Sequence, residues 1–149
     1  MRDTTVYLRC SKCGGINRLP ESRLMEQPKC GKCGSFLELR KTPVGVTSSN
    51  FDSDVLSWPG AVLVEFWSPR CGHCMRISPV IDEIAREKAG ILKVVKVNID
   101  NEPALGARFG IRGTPMFILY RHGNKVGDIP GAPPADQLKA WIDASLLAA

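Results

Sequence analysis

All six cysteines of the chain fall in three Cys-x2-Cys pairs: Cys10 with Cys13, Cys30 with Cys33, and Cys71 with Cys74. Two intervening residues let the backbone turn so that both sulfurs face one point, an arrangement suited to a shared metal ion or to a reversible disulfide. The first two pairs follow the plan Cys10-x2-Cys13-x16-Cys30-x2-Cys33, a spacing that fits four thiolates around one zinc ion. Each pair begins the repeat Cys-[Ser/Gly]-Lys-Cys-Gly-[Gly/Ser], in which Gly14 and Gly34 supply the positive φ that such a turn needs. The third pair, Cys71-Gly72-His73-Cys74, has no second Cys or His pair close in sequence to complete a metal site. Redox chemistry is the expectation there.

The elements around the third pair are legible. Ala61 to Trp67 is a nearly continuous apolar run, broken by Glu65, as in a parallel strand covered on both faces. After Ser68-Pro69, apolar residues recur at Ile77, Val80, Ile81, Ile84 and Ala85, a helical spacing, with Gly90 as a stop. The pair therefore opens a helix. Unpaired N–H groups and the positive end of the helix dipole favour a thiolate at Cys71, while Cys74, one turn further in, is expected to be a buried thiol. Leu92 to Ile99 reads as a strand, Glu102 to Phe109 as a short helix, and Met116–Tyr120 with Lys125–Asp128 as a hairpin through His122-Gly123-Asn124. A last helix opens at Pro134 and is expected to bury Leu138, Trp141, Ile142 and Ser145. The order β-α-β-α-β-β-α predicts a layered α/β domain.

Upstream the composition changes. Residues 1–41 hold nine Lys/Arg against four Asp/Glu, whereas residues 42–149 hold eleven of each, so the whole net charge of +5 sits in the first segment. Pro, Gly and Ser gather after Arg40, and the boundary is expected near Thr42 to Val46, with residues 1–41 as a zinc ribbon, 42–47 as a linker and 48–149 as the second domain. A unit of about 40 residues buries little apolar surface, so metal binding would supply much of its folding free energy. Val6-Leu8, Ile16 with Leu19, and Phe36-Leu37-Leu39 are its expected strands. Four thiolates with Zn²⁺ leave a charge of −2, which gives the surrounding cations an electrostatic role. Nucleic-acid binding is the rival reading, weakened because only Tyr7 and Phe36 are aromatic and the basic residues form no run. Two ordinary disulfides are the other alternative, disfavoured in a reducing compartment. The start of the chain has no apolar core of an export signal, and no apolar stretch approaches about 18 residues, so a cytoplasmic protein without a membrane span is expected.

Residues 46–149 resemble thioredoxin. The block Val64-Glu65-Phe66-Trp67-Ser68-Pro69-Arg70-Cys71-Gly72-His73-Cys74 resembles that family's active-site segment, and Ile111-Arg112-Gly113-Thr114-Pro115-Met116-Phe117 its cis-proline loop. Gly131 matches the glycine near the substrate groove, Pro79 the proline that kinks the active-site helix, and the upstream cysteines make the whole similar to the bacterial thioredoxin 2 type. The resemblance implies a thioredoxin fold, a central mixed sheet with helices on both faces, and a role for each matching residue. Cys71 would be the nucleophile and Cys74 the resolving cysteine. A cis Pro115 would present the Thr114 backbone to an extended substrate, and Trp67 would pack beneath the site. Glu65 stands where the family usually has a buried aspartate and Lys96 where its lysine partner lies. That implies proton transfer from Cys74, against a plain buried ion pair or a solvent-facing edge position.

Three positions depart from the family: Arg70 replaces the usual tryptophan, His73 the usual proline and Met75 a frequent lysine. His73 makes the motif resemble that of protein disulfide isomerase. A cationic Arg70 and a partly protonated His73 are expected to stabilise the Cys71 thiolate and so make the couple more oxidising. The function expected is reduction of disulfides in substrate proteins by a monomer that uses no organic cofactor and is recharged by a flavin-dependent thioredoxin reductase. A more oxidising disulfide isomerase or oxidase is one alternative, and a non-catalytic zinc-binding interaction module the other.

Overall fold

The computed structural model describes residues 3–147 of the chain, so residues 1, 2, 148 and 149 of the two expected units lie outside the described residues. From residue 61 onward the expected order is found: β4 (Ala61–Trp67), α1 (Gly72–Glu87), β5 (Leu92–Asn98), α2 (Pro103–Arg108), β6 (Met116–Arg121), β7 (Asn124–Pro130) and α3 (Ala135–Leu147). Before them come the antiparallel pair β1 (Thr5–Arg9) and β2 (Ile16–Pro20), and the two-residue strand β3 (Val44–Gly45). The large sheet runs β3-β5-β4-β6-β7, with β3, β5 and β4 parallel and β6 and β7 antiparallel.

Alternation along β4 assigns its faces. Val62, Val64 and Phe66 pack with Phe51, Val55, Trp58 and Leu105, while Leu63 faces Ile77, Ile81 and Ile84 of α1 and Leu138 and Ile142 of α3. Both faces are covered, which is why the strand reads as an unbroken apolar run. Glu65 shares the face of Leu63, and its neighbour across the parallel ladder is Lys96.

Several details differ from expectation. The stretch 42–47 contains β3, which pairs with Val95 and Lys96 of β5 and continues in the bond from Val46 N to the Lys96 carbonyl, 2.9 Å. A π-helical turn, Asp52–Leu56, follows it and carries the fully buried Val55. Trp141 and Ser145 of α3 are only half-buried. Of Phe36, Leu37 and Leu39, only Phe36 enters a β-bridge, with Lys29, and it leaves its ring mostly exposed.

The N-terminal unit has its own small core of Val6, Leu8, Cys10, Leu24, Cys30 and Leu37. It docks beside the starts of β4 and β5: Tyr7 packs at Gly60, Leu24 and Leu39 lie at Gly90, and the Arg9 guanidinium stands 5.6 Å from the Trp58 ring centre. Lys93 approaches the same ring at 4.3 Å. Cys71 lies beyond the other end of β4, so the sheet separates the two cysteine sites.

Candidate active site and metal centre

Cys71 is the N-cap of α1. Its backbone is extended (φ −94°, ψ 112°), and its sulfur accepts a bond from the Cys74 N–H at 3.2 Å, the place a serine or aspartate oxygen takes in ordinary caps. Burial opposes ionisation of Cys71, but hydrogen bonding from Cys74, from the Thr114 side chain and from the Cys74 and His73 backbone outweighs it and holds the thiol below its ordinary range. As a thiol, Cys71 donates to the Thr114 carbonyl at 3.3 Å. Cys74 is buried; desolvation and the neighbouring Cys71 sulfur push its thiol up to about 11. One sulfur is made easy to ionise and its partner hard.

The loop that faces Cys71 carries a cis Thr114–Pro115 peptide bond. Gly131, with φ +77°, donates its N–H to the Pro115 carbonyl at 2.8 Å, which brings the turn after β7 against that loop. Glu65 has no exposed surface, so the solvent-facing alternative is excluded. Desolvation pushes its carboxyl up to about 7, against the pull of Lys96. Lys96 Nζ lies 3.9 Å from Glu65 Oε1 and 4.8 Å from the Trp67 ring centre, and neither Glu65 oxygen has a hydrogen-bond partner among the described residues. Gly72 opens the helix with nothing within 4 Å of where a Cβ would stand.

Arg70 and His73, the residues expected to support the Cys71 thiolate, each have a polar partner of their own. Arg70 reaches Asp100, with Nε at 3.1 Å and a terminal nitrogen at 3.3 Å. The His73 ring bonds to Arg76. Both side chains thus have polar partners other than the sulfur. Two residues that the sequence reading passed over organise this loop. Ser68 accepts from the Arg70 N–H at 3.2 Å and donates to Asp100 at 3.0 Å, while its carbonyl accepts from the Cys71 N–H at 3.1 Å. A Ser-Pro step after a strand is a turn signal and marks Ser68; Asp100 arrives from the end of β5 and has no local signal.

The four upstream sulfurs lie within 4.8 Å of one another. Cys10 and Cys33 are 3.6 Å apart, as are Cys13 and Cys30. That is far beyond an S–S bond and close to the roughly 3.8 Å edge of a tetrahedron with metal–sulfur distances of about 2.3 Å. The two-disulfide alternative does not match this geometry. Gly14 and Gly34 have φ +77° and +78° and donate to the carbonyls of Cys10 and Cys30, and the Gly15 and Lys32 N–H groups point at the sulfurs of Cys13 and Cys30, each at 3.4 Å. Asn17, also passed over in the sequence, joins the two turns: its Oδ1 accepts from the Gly31 N–H and its Nδ2 reaches the Gly15 carbonyl. A soft, closed set of four thiolates suits zinc.

Comparison with known families gives two adjoining matches. The model described as "Thioredoxin" matches residues 42–144, and the one described as "Thioredoxin 2, N-terminal" matches residues 9–35. The chain is 43% identical to the protein named "Thioredoxin" of Pseudomonas aeruginosa over 103 residues, 69% of this chain and 95% of that one. It is 42% identical over 101 residues to "Thioredoxin 1" of a Nostoc species, 68% of this chain and 94% of that one.

Proposed function

The chain belongs to the thioredoxin family and is a thiol-disulfide oxidoreductase, and from that premise we propose that it reduces disulfides of substrate proteins at Cys71 and Cys74. The observation that carries the reading is the opposed pair of sulfurs: Cys71, held below the ordinary thiol range at the helix cap, and Cys74, buried and pushed up to about 11.

The Cys71 thiolate attacks one sulfur of the target disulfide; that bond breaks, a mixed disulfide forms, and the first target sulfur leaves as a thiolate that takes a proton from water. Cys74 then attacks the Cys71 sulfur, closing an intramolecular disulfide and releasing the second target sulfur. Two electrons pass from the dithiol to the target. Glu65, ionised in part near neutral pH, takes the Cys74 proton, and Lys96 keeps that carboxylate from being excluded altogether. Thr114 and Gly131 line the path of the target chain. Reduction of the Cys71–Cys74 disulfide by a flavin-dependent thioredoxin reductase in the cytoplasm completes the cycle.

Cys10, Cys13, Cys30 and Cys33 hold one zinc ion in the same reading. A four-thiolate site has no open position, so the metal would supply folding free energy rather than a reacting group.

The test is insulin reduction with dithiothreitol as electron donor, followed by trapping. Cys71→Ser is expected to abolish turnover, and Cys74→Ser to accumulate the mixed disulfide with one target per chain. Turnover by the Cys71→Ser protein would overturn the assignment.

A further inference from the structure

Three segments meet around the Cys71 sulfur: residues 67–78, the loop 109–117 that carries Thr114, and the turn 129–134 tied to Pro115 through Gly131. Together they contain Arg70, Arg76 and Arg112 and not one Asp or Glu. The carboxylate that reaches this rim is Asp100, and Arg70 and Ser68 occupy it. Arg76 bonds to the His73 ring and has no carboxylate partner among the described residues, and Arg112 is exposed with no hydrogen-bond or ion-pair partner among them. The rim of the reactive sulfur is therefore cationic, with two arginines uncompensated. Several other cations of this domain do have carboxylate partners, Lys125 with Asp128, Lys139 with Glu83 and Glu87, and Lys88 with Asp143, whereas Arg86, on the helix surface away from this rim, has none among the described residues.

We propose that Arg112 and Arg76 select target disulfides flanked by acidic residues, so that the preferred substrates are acidic polypeptide segments. The inference rests on the disulfide-reduction reading and specifies its substrate class. To bring a sulfur into line with Cys71, a target must lay the residues beside its own cysteine over this rim. Exposed charges that approach within the Debye length, about 8 Å in physiological salt, are incompletely screened. Attraction there raises the rate of productive encounter and orients the chain, and it leaves the exchange step itself unchanged. The effect belongs in kcat/KM.

The experiment compares three disulfides with the full-length protein: one peptide disulfide flanked by Asp and Glu, the same peptide flanked by Lys, and uncharged hydroxyethyl disulfide. At about 20 mM ionic strength the acidic peptide is expected to have roughly tenfold higher kcat/KM than the basic one, and the ratio to fall toward about one in roughly 0.5 M sodium chloride. Arg112→Glu is expected to bring the low-salt ratio to about one or invert it, and Arg112→Ala to give an intermediate value, both with hydroxyethyl disulfide reduced at the parent rate. Equal rates for the two peptides, or a ratio unchanged in both variants, overturn the proposal while continued reduction of the neutral disulfide leaves the reductase reading standing. Failure to reduce any of the three overturns both.

Discussion

Among the described residues Glu65 is the charged side chain that the fold buries completely, and its surroundings set its behaviour. Leu63 and Phe117 border it on the sheet, α1 lies above it, Lys96 approaches only to 3.9 Å, and no hydrogen bond reaches either oxygen. The folded protein therefore holds this proton more tightly than the unfolded chain, with the carboxyl raised from 4.5 to about 7. Its contribution to stability is complete below the lower value and is lost as pH rises through the upper one, a fall of about 3 kcal/mol. Urea denaturation between about pH 5 and pH 8 is expected to show this decline in the parent and not in Glu65→Gln. An equal slope in both proteins would place the titration elsewhere. The same variant tests the proposed proton transfer: if Glu65 serves the Cys74 proton and not the Cys71 sulfur, release of the target from the mixed disulfide is expected to slow at least tenfold near neutral pH, with formation unchanged. Stopped-flow kinetics of the two phases reads this directly, and slowing confined to the first phase would contradict it.

At the scale of the element, α1 begins where a sulfur replaces the usual capping oxygen. Cys71→Ser keeps an acceptor for the Cys74 N–H and Cys71→Ala removes it, so under reducing conditions the serine variant is expected to be more stable by about 1 kcal/mol. Equal denaturation midpoints would show that Cys71 does not act as a cap. This helix and the strand before it were readable in the sequence because periodicity reports burial: Ile77, Ile81 and Ile84 face the sheet, and the run of β4 is buried on both sides. Positions set by the backbone alone gave no such signal. β3 consists of two residues that join β5 through main-chain bonds, and the π-helical turn Asp52–Leu56 is too short to show a period, so 42–47 reads as a linker although it extends the sheet. Adjacency in sequence also left the partner of Arg70 unseen. Its nearness to Cys71 suggested a charge for the thiolate, but Asp100, which β5 delivers from 30 residues away, takes the guanidinium. The four metal-type cysteines were legible from spacing, whereas Asn17, which joins their two turns, was not, because its partners Gly15 and Gly31 meet only in the folded chain.

Over the whole molecule, the two cysteine sites sit at opposite ends of the parallel strands, and this placement limits what one can do to the other. The N-terminal unit rests on the loops that precede β4 and β5, through Tyr7, Arg9, Leu24 and Leu39, whereas Cys71 follows the far end of β4. The larger domain owns two apolar clusters built from its own strands and helices, and the smaller unit has six buried residues, two of them cysteines of the sulfur cluster. A core of that size is small against the chain entropy of its segment, which is why the proposed metal would carry much of its folding free energy. With zinc bound at the four cysteines as proposed, its removal by a strong chelator under reducing conditions is expected to expose four additional titratable thiols and to melt the β1–β2 pair. It is also expected to shift the indole emission as Arg9 leaves Trp58, a shift that Trp58→Phe abolishes. The larger domain is expected to keep its sheet, and the rate of disulfide reduction to stay within about twofold of the zinc-loaded protein, because these contacts of the small unit fall at Trp58, Gly60 and Gly90, at the end of the sheet away from the helix cap. Circular dichroism, thiol titration and the insulin assay on the same chelated sample decide it: loss of activity in step with the four thiols would mean that the ribbon holds the catalytic end in place through the body of the sheet.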